Sequence, residues 1–257
     1  MIEVCSSPGH LNYHDKNSVK EVSRYISALG MEAYSFHAPF IDVDVSSPDE
    51  QHRDYSLHEL LTAAEAASFL SSRYFVIHPG PDKVLSFSTE ERMERMRNAA
   101  EILSRVAKKC RTLNVGLVLE NMLPHLPFGS VSDLLWILGA VEELNISTCL
   151  DTGHAVLSGD LYNVMYKLGR HMKVIHANDN KGAHDDHLEP GAGVIDWKKL
   201  VYELSEIDFQ GGVILELSGS EKRSAEEVLH IARQARNYLR NISRDQCPRI
   251  PFWSGNV

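Results

Sequence analysis

The chain has 257 residues, 43% of them hydrophobic and 24% charged, with a formal net charge of -9. These are ordinary values for a water-soluble globular protein. No apolar run approaches the roughly 18 residues of a membrane span, and the N-terminus lacks a basic-then-apolar signal pattern. Four scattered cysteines (Cys5, Cys110, Cys149, Cys247), with no Cys-x-x-Cys pair, read as free thiols of a cytoplasmic protein rather than a disulfide framework. The acidic balance argues, though weakly, against a nucleic-acid partner.

Apolar runs alternate with helical patterns along the chain. Ile2 to Cys5 reads as a strand, followed by a helix from Asp15 to Leu29 with Val19, Val22, Ile26 and Leu29 on one face and Gly30 as its stop. Glu32 to Phe36 is the next strand, ending at His37-Ala-Pro39. An acidic loop, Ile41 to Asp54, leads into an Ala/Leu-rich helix from Ser56 to Ser71. Tyr74 to Ile77 ends in His78-Pro-Gly80 and precedes a helix from Thr89 to Cys110. Val115 to Leu119 ends in Glu120-Asn121; an apolar loop and a helix from Val131 to Leu144 follow. Ile146 to Leu150 ends in Asp151-Thr-Gly-His154, with a helix from Leu161 to Gly169. Met172 to Ile175 runs into His176 and a loop crowded with acids and histidines that closes at Pro190-Gly-Ala-Gly193. A helix from Asp196 to Glu206, a strand from Val213 to Leu215 ending at Glu216, and a helix from Ser224 to Ile242 complete the pattern. The tail to Val257 reads as irregular, with Phe252 and Trp253 packing on the body or on a partner subunit.

Strands alternating with helices imply βαβ units, a parallel sheet and an α/β fold. Ser6-Ser-Pro-Gly9 is not the Gly-rich phosphate turn that a doubly wound nucleotide-binding sheet carries after its first strand. Six strands end in ligand-type residues, and a closed TIM-type (β/α)8 barrel brings strand ends to one mouth. Only seven strands are recognisable, one short of eight. No linker or composition break divides the chain, so residues 1–242 are expected to form one domain and 243–257 a tail.

The strand ends present His37, His78, Glu120, Asp151, His176 and Glu216, and the following loops add His154, Asp185 and His187. Two positions earlier, on the same side of each strand, stand Ser35, Val76, Val118, Cys149, Val174 and Ile214, which suit a barrel interior. Imidazole and carboxylate without thiolate suit Zn²⁺ or Mn²⁺, with Mg²⁺ a further candidate. Nine such groups exceed the needs of one ion and suffice for two or three sharing a carboxylate. Singly, each has a bland alternative: a hydrogen-bonded core histidine, a salt-bridge glutamate, an Asp151 that caps a helical turn. The other histidines, His14 among them, fit no pattern and read as surface or packing residues.

Taken together, His37-Ala-Pro, His78-Pro-Gly, Leu119-Glu-Asn121, Leu150-Asp-Thr-Gly-His154, His176-x-Asn-Asp179, Asp185-x-His187 with Pro-Gly-x-Gly, and Leu215-Glu216 resemble the xylose isomerase-like TIM barrels. That superfamily contains endonuclease IV and many sugar and sugar-phosphate isomerases and epimerases, and the resemblance runs from Ile2 to Ile242. The endonuclease IV pattern implies three zinc ions: one near His37, His78 and Glu120, one near Glu120, Asp151, His176 and Glu216, and one near His154, Asp185 and His187. Single-metal isomerases keep mainly the second set. The resemblance also likens Ile2-Glu-Val to the family's second strand, with Glu3 facing inward. The first β/α unit is then expected to be missing, and a truncated chain, a misplaced start codon or a natively shortened barrel would each account for it.

Two activities follow from the resemblance. An isomerase or epimerase would set Glu120 and Glu216 as proton-transfer residues on a small sugar beside a metal-polarised carbonyl. A nuclease would use several ions on a phosphodiester such as abasic DNA. The acidic loop after His37, in which Arg53 is the only Lys or Arg, is a poor surface for phosphates. The apolar loop Met122 to Phe128 reads either as a lid over a small molecule or as a segment packed into the body. Asn121, Glu3 and Lys181 are candidate substrate contacts, and Asn178-Asp-Asn180 with Gly182 resembles the sugar-enzyme branch. The reading favours the isomerase or epimerase; a barrel that binds metal or sugar without turnover is a third possibility. A homo-oligomer is compatible with all three.

Overall fold

The computed structural model describes residues 1–7, 9–142, 146–218 and 224–246. Seven strands succeed one another in chain order in one sheet, with helices between them, so the fold class is the α/β one expected. The pairs β1–β2, β2–β3, β3–β4 and β6–β7 are parallel. The chain divides into two compact units, Met1–Thr148 and Cys149–Val257.

In the first unit the order is β1 (Ile2–Cys5), α1 (Lys16–Ala28), β2 (Ala33–His37), α2 (Glu50–Phe69), β3 (Tyr74–Ile77), α3 (Thr89–Thr112), β4 (Gly116–Glu120) and α4 (Val131–Ala140). The strands β2, β3 and β4 are buried almost throughout, as expected where helices cover a parallel sheet. Alanines 63, 64, 66 and 67 of α2 are buried and let that helix lie close to its neighbours. Helix α3 opens with a capping box, Ser88 and Glu91 each satisfying the other's backbone N–H. The loop after β1 is tied to α2 by Glu59, which accepts from the Tyr13 hydroxyl at 2.5 Å and lies 3.1 Å from His14 Nε2. His14 is therefore a loop tether, which its isolated position in the sequence did not show.

In the second unit, β5 (Ile146–Asp151, which straddles the division) is followed by α5 (Thr152–Leu157), α6 (Leu161–Leu168), β6 (Met172–Ala177), α7 (Trp197–Glu206), β7 (Gly212–Leu215) and α8 (Ala225–Gln246). Helix α8 packs on α7 and β7. Ser35, Val76, Val118, Cys149, Val174 and Ile214 are all buried. Cys5, Cys110 and Cys149 are free thiols, and among the described residues no helix is long and apolar enough to cross a membrane.

Several expected boundaries move. Helix α2 begins at Glu50 instead of Ser56, because Asp49 caps it by accepting from Gln51 N. The acidic loop is thus shorter than its charge suggested. Asp44 is buried, bonded to Ser46 and Ser56 and 3.2 Å from the Arg95 guanidinium. Helix α5, six residues capped by Asp151, was not expected. Helix α8 runs to Gln246, past Ile242. Cys247, Phe252 and Trp253, with Pro8 and the Leu144 end of the expected fourth helix, lie outside the described residues.

The loop after β4 is packed and not a free lid. Met122 and Phe128 are buried, and Phe128 holds a left-handed backbone, φ 60°. Its ring covers Gly80, where a Cβ would approach Phe128 to 2.7 Å. Gly80→Ala should therefore destabilise the protein by about 1–3 kcal/mol through overpacking, lowering the thermal midpoint by roughly 2–10 °C. A melting curve followed by circular dichroism checks this; an unchanged midpoint would show that the loop yields freely.

Candidate metal centre

In the first unit, three of the candidate residues meet. His37 ends β2 and Glu120 ends β4; the register Ile77 opposite Leu119 sets His78 opposite Glu120 one residue on. His37 and Glu120 are buried, and His78 is partly exposed. His37 Nε2 lies 3.3 Å and His78 Nε2 3.6 Å from the same oxygen, Glu120 Oε2. His37 Nδ1 is 2.9 Å from the Ala38 carbonyl, to which it donates. With that proton placed, a neutral His37 turns a lone pair toward a carboxylate oxygen. Either a second proton or a cation must lie between them. Phe40 packs against both rings, its centroid 5.7 Å from His37 and 5.5 Å from His78.

In the second unit, two groups form. Asp151, His176 and Glu216 each offer a ligand atom within 4.8 Å of the others. His176, within β6, is fully buried and its Nδ1 lies 3.2 Å from Glu216 Oε2. Glu216, just past β7, is partly exposed, its side chain 33% accessible. Asp151 is fully buried, and its two oxygens are held by different donors. Oδ1 accepts from His154 N at 2.7 Å, and Oδ2 accepts from the Asn178 amide at 2.6 Å. It therefore does cap the following turn, the bland role, and still stands among the ligand-type residues.

The second group is His154, Asp185 and His187. Asp185 Oδ2 lies 3.3 Å from His154 Nε2 and 2.9 Å from His187 Nε2. Asp185 Oδ1 is buried with no hydrogen-bond partner. Burial opposes ionisation of Asp185, but the hydrogen bonds and charges of His154 and His187 outweigh it and hold this carboxyl well below the usual range. Burial likewise opposes the charge on His187, yet its bond to Asp185 and the charges of Glu216, Asp151 and Asp185 raise it to about 9. His187 also has a left-handed backbone, φ 45°.

All nine expected ligand residues thus fall into compact clusters within their units. Their donor set, imidazole nitrogen and carboxylate oxygen around a buried open acceptor, fits a divalent ion of the zinc or manganese kind. The substrate candidates are placed less tellingly. Glu3 sits half-buried on β1 opposite Ser35, and Asn121 is buried. Lys181 is exposed and gives its ammonium to the Ala192 carbonyl. Asn178, Asp179 and Asn180, the tract likened to sugar enzymes, are fully buried and hydrogen-bonded to neighbouring chain segments. Beyond the polarity of the tract, these inward roles leave no local signal in the chain.

Ligation requires neutral imidazole, so an ion entering the second group at pH 7.5 must displace the His187 proton. Zinc titration of chelator-stripped protein should release at least about one proton at pH 7.5, a release that His187→Ala reduces and that falls above pH 10. Calorimetry in two buffers of different ionisation enthalpy measures this. Equal heats in both at pH 7.5 would contradict it.

Residues 1–242 match the model of a family described as xylose isomerase-like TIM barrels. An uncharacterized protein of Methanocaldococcus jannaschii is 29% identical over 70% of this chain, which spans only 62% of that protein. A protein described as a probable endonuclease 4 from Mycoplasmopsis pulmonis is 25% identical, over 82% of this chain and 78% of its own length. Among solved structures, a D-tagatose 3-epimerase-like protein superposes with a TM-score of 0.82 at 24% identity, covering 95% of this chain and 89% of its own. The strand-end residues and the family match agree: the chain belongs to the xylose isomerase-like TIM barrel family.

Proposed function

We propose that the protein is a metal-dependent isomerase or epimerase acting on a small sugar or sugar phosphate. The observation that carries this reading is the charge of the loops that follow the strands. Among the described residues, the stretches 6–15, 38–49, 78–88, 121–130 and 178–196 contain only two cationic side chains, Lys83 and Lys181; the sequence that follows β7 adds Lys222 and Arg223. Lys181 is already engaged by Ala192. Asp42, Asp82, Asp186 and Glu189 lie in the same loops. Such loops repel a phosphodiester backbone and tolerate a neutral polyol or a single phosphate. The epimerase-like neighbour supports the same choice.

In this reading Glu120, Asp151, His176 and Glu216 hold one divalent ion, and residues 1–242 work as one cytoplasmic domain. The bound ion supplies Lewis acidity to a substrate carbonyl and its neighbouring hydroxyl. Glu216 takes the proton from the carbon beside that carbonyl, and Glu120 returns one to the same or the adjacent carbon. Removal and return on opposite faces of one carbon give epimerisation; return to the neighbouring carbon gives isomerisation. Asn178 and the His154 N–H keep Asp151 oriented for ligation. Glu3 and Asn121 contact substrate hydroxyls.

The His37–His78–Glu120 and His154–Asp185–His187 clusters favour a second reading, because one ion needs neither. They would hold two further ions of a phosphodiesterase of the endonuclease IV type.

Elemental analysis of protein purified without chelator, together with deuterium incorporation from D₂O into keto-sugars and their phosphates, decides between the two. The proposal expects metal-dependent exchange at carbon. It also expects a loss of at least about 100-fold in Glu216→Gln, a typical contribution of general acid–base catalysis. Cleavage of abasic DNA without any exchange into sugars would replace the first reading by the second.

A further inference from the structure

The loop from Asp179 to Trp197 supplies Asp185 and His187 to the second metal cluster, and it has little core of its own. Lys181 to His184 are exposed, and Asp185 to Glu189 are partly exposed. Its shape depends on one side chain. Asp179 is fully buried, and its carboxylate accepts four hydrogen bonds. Asn180 N and Ile195 N donate to Oδ1 at 3.0 and 3.2 Å. Gly191 N and the Trp197 indole donate to Oδ2 at 3.1 and 2.8 Å. The backbone of Asp179 pairs with that of Leu188, the residue after His187, through two bonds of 2.8 Å. Chain packing around the carboxylate is so close that a Cβ on Gly193 would overlap it. Trp197 is buried at the start of α7, so it anchors this knot to a helix.

We propose that Asp179 is a positioning residue for the His154–Asp185–His187 cluster. By gathering the loop's return strand onto α7, it sets where Asp185 and His187 stand relative to His154, and hence how tightly that cluster holds a divalent ion. It touches neither ion nor substrate. The left-handed backbone of His187 is a conformation that a non-glycine residue keeps only under restraint. The Leu188 pairing one residue on and the Ser218 N–H, which donates to the His187 carbonyl at 3.0 Å, supply that restraint. An asparagine at 179 would turn an NH₂ either against the Gly191 and Trp197 donors or against the Asn180 and Ile195 donors in place of an acceptor, opening the knot on one side. The inference rests on the reading of this cluster as a metal site.

The test is Co²⁺ titration of the chelator-stripped full chain, following visible ligand-field absorption, with bound metal counted by equilibrium dialysis. His154→Ala identifies the binding step that belongs to this cluster. If His154→Ala titrates like the unmodified protein, the metal reading fails and the inference with it. Given a step that His154→Ala removes, Asp179→Asn and Trp197→Phe should each weaken that step about 10- to 100-fold, the usual effect of losing a residue that orients ligands. The absorption of cobalt bound elsewhere should stay unchanged. Trp197→Phe loses one donor while keeping a buried aromatic ring, so it decides the matter if Asp179→Asn fails to fold. Retention of the step at its original midpoint in a folded Trp197→Phe would overturn the proposal.

Discussion

Burying a carboxylate is the constraint around which this molecule is arranged. Glu120, Asp151 and Asp179 are all nearly inaccessible, and an uncompensated charge there would cost several kcal/mol. The chain compensates them in two ways. Asp179 is surrounded by N–H donors, which are always donors and leave its four bonds complete. Glu120 faces two imidazoles, which donate only in one protonation or tautomeric state. Asp185 faces imidazoles in the same way. A carboxylate met by amides is scaffolding, while one met by imidazoles is a site whose occupant, proton or cation, can be exchanged. Asp151 combines the two: its oxygens are fixed by an amide and a backbone N–H, yet it lies among the residues able to bind an ion.

That distinction also explains what the sequence revealed. Strands ending in His37, His78, Glu120, Asp151, His176 and Glu216 were legible because position at a strand end is a property of chain order. So was the α/β alternation, since continuous apolar runs and amphipathic periods are local. The inward turn of Asn178, Asp179 and Asn180 was not legible. Their partners are the Gly153 carbonyl, which accepts from Asn180, and the donors Gly191, Ile195 and Trp197, supplied by chain segments up to 27 residues away. A polar tract beside a ligand reads the same whether it faces the substrate or the chain. Asp44 misled for the same reason, since its partner Arg95 stands on α3. Asp49 and Glu50 were a different failure: they carry a cap and a first helical turn, and their charge was mistaken for loop character.

The loop charges bear on function more than the ligand residues do. Imidazole and carboxylate at strand ends serve proton transfer beside one ion and phosphodiester hydrolysis across several ions equally well, and the family includes both chemistries by resemblance. What separates them is the reacting molecule's charge, which is felt at the rim. Although Asp44 and Asp49 are spent on structure and no longer count as free loop acids, cations stay scarce in the described loop stretches. Removing two acids from the tally weakens repulsion of a polyanion; it does not create the attraction such a ligand needs.

Exposure within the second unit gives the residues different parts. Asp151 and His176 are sealed from solvent, while Glu216, Asp185 and His187 retain partial access. Proton transfer to a substrate carbon needs a carboxylate within direct reach of that carbon. In this unit Glu216 contacts buried His176 at 3.2 Å and still opens toward solvent, as the proposed proton transfer requires. Asp151, with one oxygen accepting from the His154 N–H and the other from the Asn178 amide, is the more firmly held of the two acids.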